Sequence, residues 1–206
     1  MNLYFFPGAC SLAINIALRE AGMPFKLIEV DYGTRRLTDG TDFRMVSPKG
    51  YVPALQLDDA TCLTEVIAIF DYIDFRTPDI GLLGKHGTVE RQSALEWLAF
   101  VATEIHKSFS PLFRPDTPDV FLKPGLRHLI KRLSVIEDQL SRHAYLAGNG
   151  PTASDFYLFT LCRWMGDVGL CLDDWPNIAE HSKSIRTRKA VQLALISENL
   201  CPELFS

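Results

Sequence analysis

Segments with strand character end at Leu63, and everything after them reads as helix or connector. That asymmetry limits the chain to a small mixed α/β layer followed by an all-helical one. The opening Asn2–Phe6 run is aromatic enough for a short strand and is stopped by Pro7-Gly8. Ser11 to Gly22 carries Leu12, Ile16 and Ala17 on one helical face, with Gly22 and Pro24 as the stop. Phe25 to Asp31 alternates as a second strand. A β-α-β opening of this kind predicts parallel strands joined by a right-handed crossover.

The stretch 32–50 is polar and punctuated, with a short helix expected at Asp42–Val46. Ala54–Leu57 and Thr61–Leu63, joined by Asp58-Asp59-Ala60, have hairpin spacing. Glu65–Phe75 places apolar residues at 66, 69, 70 and 73, a helical pattern. Helices are then expected over Val89–Phe113, Gly125–His143, a strongly apolar stretch from Thr152-Ala-Ser-Asp155 to Gly169, Ile178–Arg186 and Lys189–Ser197. Thr152 and Asp155 have the spacing of a capping box, with Asp in place of Glu. Domains are accordingly expected at 1–80 and 88–206, with 81–87 as the linker.

A net charge of −4 argues against a general nucleic-acid binder, which needs a basic face, while leaving room for a local basic pocket. The N terminus lacks a basic secretory n-region, and no apolar run approaches the ~20 residues that span a bilayer. A cytoplasmic protein is the expectation. Five cysteines (Cys10, Cys62, Cys162, Cys171, Cys201) form no Cys-x-x-Cys pair and no zinc-ligand pattern with His, so neither a disulfide framework nor a metal is expected. Cys10 alone stands where a strand passes into a helix, at the dipole end that favours a thiolate.

Four stretches, in order, carry a resemblance: Phe6-Pro-Gly-Ala-Cys-Ser-Leu12; Ser47-Pro-Lys-Gly-Tyr-Val-Pro-Ala-Leu55; Leu63-Thr-Glu-Val-Ile-Ala-Ile69; and Ala102-Thr-Glu-Ile-His-Lys107 with Pro111-Leu-Phe-Arg-Pro115. Together they resemble the cytosolic glutathione transferases, and in detail the bacterial beta class, over essentially the whole chain. The resemblance implies an α/β thioredoxin-like N-terminal domain followed by an all-α C-terminal domain, the glutathione transferase fold. It also implies a homodimer, with glutathione as co-substrate and a small apolar electrophile as the second substrate, and no metal, nucleic-acid or membrane partner.

By the same resemblance Cys10 and His106 are the catalytic candidates. Arg35, Val52, Pro53 (in a cis peptide), Glu65, Val66, Glu104 and Lys107 are the glutathione-binding candidates, with Glu104 reaching the partner subunit's site. Glutathione brings a thiol, two carboxylates and an ammonium group, and the residue types answer that chemistry. Arg35 suits the glycyl carboxylate, and the N–H at the helix start by Val66 suits the γ-glutamyl carboxylate. Glu65 suits the ammonium, and the Val52 backbone offers a strand edge. His106 is expected to donate to a thiolate and to titrate near neutral pH. Phe5, Phe6, Phe109, Phe113 and Trp164, with Met165, are expected to line an apolar electrophile site between the domains. Ser11 is a second candidate thiolate stabiliser, or simply a helix cap.

The sequence departs from the beta-class pattern at Phe5 (usually Tyr), Val66 (usually Ser or Gly) and Ala99 (usually Asn). Ala13 occupies the place of a second thiol, which removes an internal dithiol cycle. Three readings stay open: conjugation of glutathione to electrophiles, glutathione-dependent thiol–disulfide exchange or peroxide reduction through Cys10, and a non-catalytic ligand-binding or regulatory member of the fold.

Overall fold

The aromatic run at the N terminus becomes β1 (Asn2–Phe5), which turns through Pro7-Gly8 into α1 (Ser11–Glu20). Gly8 sits at φ 72°, a left-handed conformation that L side chains rarely adopt, so the sharp strand-to-helix turn falls on the residue best able to make it. β2 (Lys26–Glu29) pairs parallel to β1, while β3 (Ala54–Gln56) and β4 (Cys62–Thr64) run antiparallel, in the order β2-β1-β3-β4. α2 (Val66–Arg76) follows β4. The expected short helix at 42–46 is a single 3-10 turn, Phe43–Met45, started by the Asp42 carboxylate accepting from the Arg44 N–H at 2.9 Å. This β-α-β/β-β-α arrangement is thioredoxin-like.

The structure is a computed structural model and describes residues 1–200 of 206; Cys201 lies outside the described residues. Two compact units divide the chain: Met1–Leu82 together with the segment beginning at Arg188, and Leu83–Thr187 between them. Helix α8 (Lys189–Ser197) therefore belongs to the first unit, where it packs against α1.

Physical chemistry explains that placement. α1 is buried along Ser11–Leu18, more than one sheet face can cover, and the apolar Ala190, Val191, Ala194 and Leu195 of α8 are buried beside it in the same unit. Polar contacts fix the register. Arg188 forks onto Glu20 at 2.6 and 2.9 Å, and Asn15 donates to Glu198 at 2.9 Å. The Gly8 N–H donates to the other Glu198 oxygen at 3.0 Å. On the opposite sheet face Tyr4, Phe6, Val30, Phe43, Val52 and Ala54 form one buried cluster.

The second unit is helical. The expected helix over 89–113 is α3 (Val89–Phe100), a π-helical stretch Val101–His106 and α4 (Lys107–Phe113). α5 (Asp119–Leu140) starts before Pro124-Gly125, where the sequence suggests a break; a proline in the second turn removes only one backbone bond. α6 (Ala153–Cys162) is shorter than expected. Its end tightens through Trp164 N–H to Leu161 O at 3.0 Å, and Gly169 at φ 77° closes the following turn. α7 (Pro176–Arg186) completes the unit. Among the described residues, no helix is long and apolar enough to cross a membrane.

The capping box at α6 is present and extended. The buried Asp155 carboxylate accepts from Thr152 N–H (2.7 Å), Thr152 Oγ1 (2.8 Å) and Leu146 N–H (2.9 Å), and meets His181 Nε2 at 2.8 Å. Removing it strands those donors in the interior. Asp155→Ala is expected to cost about 2–4 kcal/mol of stability, read as a lower urea midpoint by circular dichroism. An unchanged midpoint would show that this network does not hold the start of α6.

Candidate functional site

In the first unit the sheet, the turn after β1 and the start of α2 carry the expected ligand residues. Cys10 caps α1, is 8% exposed, and its Sγ donates to the Val52 carbonyl oxygen at 3.4 Å. The thiol thus stands between the positive end of a helix and a backbone edge. Ser11 is fully buried with its Oγ 3.4 Å from the Phe6 carbonyl, a structural contact inside the strand-to-helix turn. Ala13 is likewise fully buried. The Val52–Pro53 peptide is cis.

Glu65 immediately precedes α2 at φ 69°, and its carboxylate accepts from Lys49 Nζ at 2.7 Å. Both side chains are about half exposed, so the pair is solvated and weak. Val66 opens α2 with its side chain buried. Arg35 is half-buried, with its guanidinium carbon 4.9 Å from the Phe6 ring centroid and 4.8 Å from that of Tyr32. Phe5 and Phe6 are both buried in the unit's interior.

Tyr4 does not act in place of the missing Tyr at position 5. Its ring packs on Phe43 and its hydroxyl donates to Gln56 at 3.2 Å. Burial first, and Cys62 second, push its ionisation upward, which disfavours a phenolate.

In the second unit Glu104 and His106 lie on the π-helical stretch, where one wide turn changes the direction in which side chains leave the helix. His106 Nδ1 is hydrogen-bonded to the hydroxyl of fully buried Tyr157, and the ring lies 5.2 Å from Trp164. The expectation of titration near neutrality is corrected: desolvation, with a smaller push from Lys107, lowers the imidazole to about 4. His106 is a neutral imidazole at physiological pH. Lys107 is exposed at the start of α4.

Glu104 is engaged within its own unit, as an ion pair with Arg132 Nε at 2.7 Å and His128 at 3.9 Å. The Arg132 contact is too oblique to count as a hydrogen bond. Phe109 and Phe113 stack at 5.8 Å, and each meets Trp164 edge-on, at 5.5 and 5.6 Å. The expected apolar residues of this unit therefore converge on one indole, while Met165 is buried. Ala99 is exposed at the place where an Asn was expected.

Three neighbours escaped sequence reasoning. Tyr157 lies 51 positions from His106, and its spacing marks it only as part of an apolar helix. Lys49 belongs to the stretch Ser47–Leu55, and Tyr32 opens the polar stretch 32–50. Nothing in periodicity signals such contacts. Among the described residues, no group of three or more His, Cys, Asp or Glu side chains converges as a metal site.

Comparison with known proteins gives the chain's family. The family model described as glutathione S-transferase, N-terminal domain, matches residues 8–76, and that for the C-terminal domain matches residues 100–189. Glutathione S-transferase GstA of Escherichia coli O157:H7 is 45% identical over 201 residues, covering 97% of this chain and all of the relative. Among solved structures, the ternary complex of BphK, a bacterial GST, superposes with a TM-score of 0.94 at 42% identity, covering 97% of this chain and 100% of that one. A sphingomonad glutathione S-transferase complexed with glutathione gives 0.93 at 38% identity, with 98% and 100% coverage. The chain belongs to the glutathione S-transferase family.

Proposed function

We propose that this chain is a glutathione transferase that binds glutathione through its first unit and directs the glutathione thiolate at a small apolar electrophile. The observation that carries the reading is the Cys10 Sγ–Val52 oxygen contact at the start of α1. It brings a helix start that favours sulfur anions to the backbone edge suited to pairing with a cysteinyl residue. Glu65 then serves the ammonium, the N–H at Val66 serves the γ-glutamyl carboxylate, and Arg35 serves the glycyl carboxylate. The relatives' glutathione complex supports this assignment of ligand.

Neutral His106 acts as a hydrogen-bond donor. In the tautomer whose Nδ1 accepts from the Tyr157 hydroxyl, the ring proton resides on Nε2, and that tautomer is the one suited to serve a thiolate. Lys107 adds positive charge beside it. Phe109, Phe113 and Trp164 supply the apolar surface for the electrophile, whereas Phe5 and Phe6 are buried in the first unit and serve its core. Catalysis consists of a stabilised thiolate and the orientation of two reactants. The same proposal includes a cytoplasmic homodimer in which Glu104 turns toward the partner's ligand; a monomer by light scattering removes that role.

A second activity uses the same site. Cys10 as thiolate attacks the glutathione-side sulfur of a mixed disulfide between glutathione and another thiol. It takes up the glutathionyl group as its own mixed disulfide and releases the other thiol as thiolate. A second glutathione thiolate then attacks the glutathionyl sulfur, frees Cys10 and leaves as glutathione disulfide. With Ala13 buried where a resolving thiol would sit, a second glutathione must complete the exchange. Cys10→Ala is expected to abolish disulfide reduction while conjugation of a chromogenic electrophile persists. Equal retention of both activities would remove Cys10 from covalent chemistry.

Calorimetric titration with glutathione is expected to show saturable binding that Glu65→Ala weakens by about tenfold, or about 1.4 kcal/mol. No binding up to millimolar glutathione would instead favour the non-catalytic reading.

For His106, the folded chain resists a proton that the unfolded chain accepts near 6.5, so its contribution to stability is present above that pH and is lost as pH falls toward about 4. His106→Gln is expected to shallow the decline of the urea midpoint across this window. A histidine proton resonance absent from this variant should titrate near 4 in the parent; a midpoint near 6.5 would contradict the buried, neutral ring.

A further inference from the structure

Three arginines lie in the segment between β2 and β3, and two of them have acceptors. Arg36 Nη1 donates to the Gly40 carbonyl at 2.6 Å, and Arg44 forks onto Asp42 at 2.6 and 3.0 Å. Arg35 differs. Its Nη1 is buried with no hydrogen-bond partner, and its guanidinium occupies the corner made by the Phe6 and Tyr32 rings, which meet edge-on at 5.3 Å and 80°. The backbone is pinned on both sides: Arg35 N–H donates to Asp31 O, and Phe43 N–H donates to Arg35 O, each at 2.9 Å. The neighbouring acid, Asp31, already accepts from the Thr34 N–H at 2.6 Å and the Thr34 hydroxyl at 2.7 Å.

A buried donor without an acceptor is costly, and a cation held on aromatic faces has shed part of its water. Such a guanidinium is prepared for an anion whose planar oxygens match its fork. Phe6 is core, whereas Tyr32 is 69% exposed, so its ring is the part of the corner that gains nothing from its own burial.

We propose that Tyr32 is a positioning residue, holding the Arg35 guanidinium fixed and partly dehydrated for the terminal carboxylate of a peptide ligand. The inference rests on the glutathione reading and deepens it by assigning selectivity for a free C-terminal carboxylate to a residue outside the four motifs. Without the ring, Arg35 gains rotamer freedom and water, and the carboxylate must displace both.

The test is calorimetry with glutathione and with its glycyl monoethyl ester, which lacks the terminal charge. Tyr32→Ala is expected to weaken glutathione by about 3- to 10-fold and to leave the ester unchanged. Tyr32→Phe, which keeps the ring, should bind both as the parent does. In an Arg35→Ala background, Tyr32→Ala should have no further effect on glutathione. Equal losses for glutathione and ester, or an undiminished loss without Arg35, would overturn the proposal, because Tyr32 would then act on the fold or on another part of the ligand. If the parent takes up no glutathione at all, the ligand assignment itself fails and this inference falls with it. Parent-like binding by Tyr32→Ala overturns only the role of Tyr32.

Discussion

Helix α1 is buried from Ser11 to Leu18, and a helix apolar on every side needs cover on every side. The sheet covers one flank. α2 packs against another part, and the chain adds α8, brought back from more than a hundred residues away and locked with Arg188–Glu20 and Asn15–Glu198. The start of α1 is then set by three fixed points: the β1 strand that feeds it, the Glu198 carboxylate on the Gly8 N–H, and the Val52 carbonyl against the Cys10 sulfur. Placement of the Cys10 thiol is thus a by-product of covering a buried helix.

Within each unit buried charge is for the most part matched. Asp155 meets four polar groups on three residues, and Glu198 joins the strand-to-helix turn to α8. Arg35, by contrast, retains an unmatched donor against two rings. In the helical unit, His106 is kept neutral by burial beside Tyr157 and Trp164, which suits a group that offers a proton in a hydrogen bond and does not gain one.

Much of this was legible in the sequence because it is written locally. The β-α-β opening, the Ala54–Thr64 hairpin and the Thr152/Asp155 cap depend on residues a few positions apart, and the strands and cap formed where expected. The errors have the opposite origin. Helix α5 starts at Asp119, six residues before the expected Gly125, since Pro124 in its second turn costs the helix only a single bond. The π-helical turn at Val101–His106 has no periodicity signal distinct from an ordinary helix. The depressed His106 titration comes mainly from burial, a tertiary fact, with a smaller push from the neighbouring Lys107. Motifs drew attention to Cys10, Glu65 and His106; the groups that tune or engage them, Tyr157 and Lys49, lay outside that view.

The return of α8 also has a consequence for the order in which the molecule is made. The helical unit is one continuous stretch, Leu83–Thr187, and all of it precedes Arg188 on the ribosome. The thioredoxin-like unit is begun first and completed last, since α1 stays partly uncovered until the segment from Arg188 to Leu200 has been synthesised. Such a chain reverses the usual N-terminal-first sequence of domain completion. During translation, the exposed flank of α1 is the sticky surface, and the last turn of the last helix is what retires it.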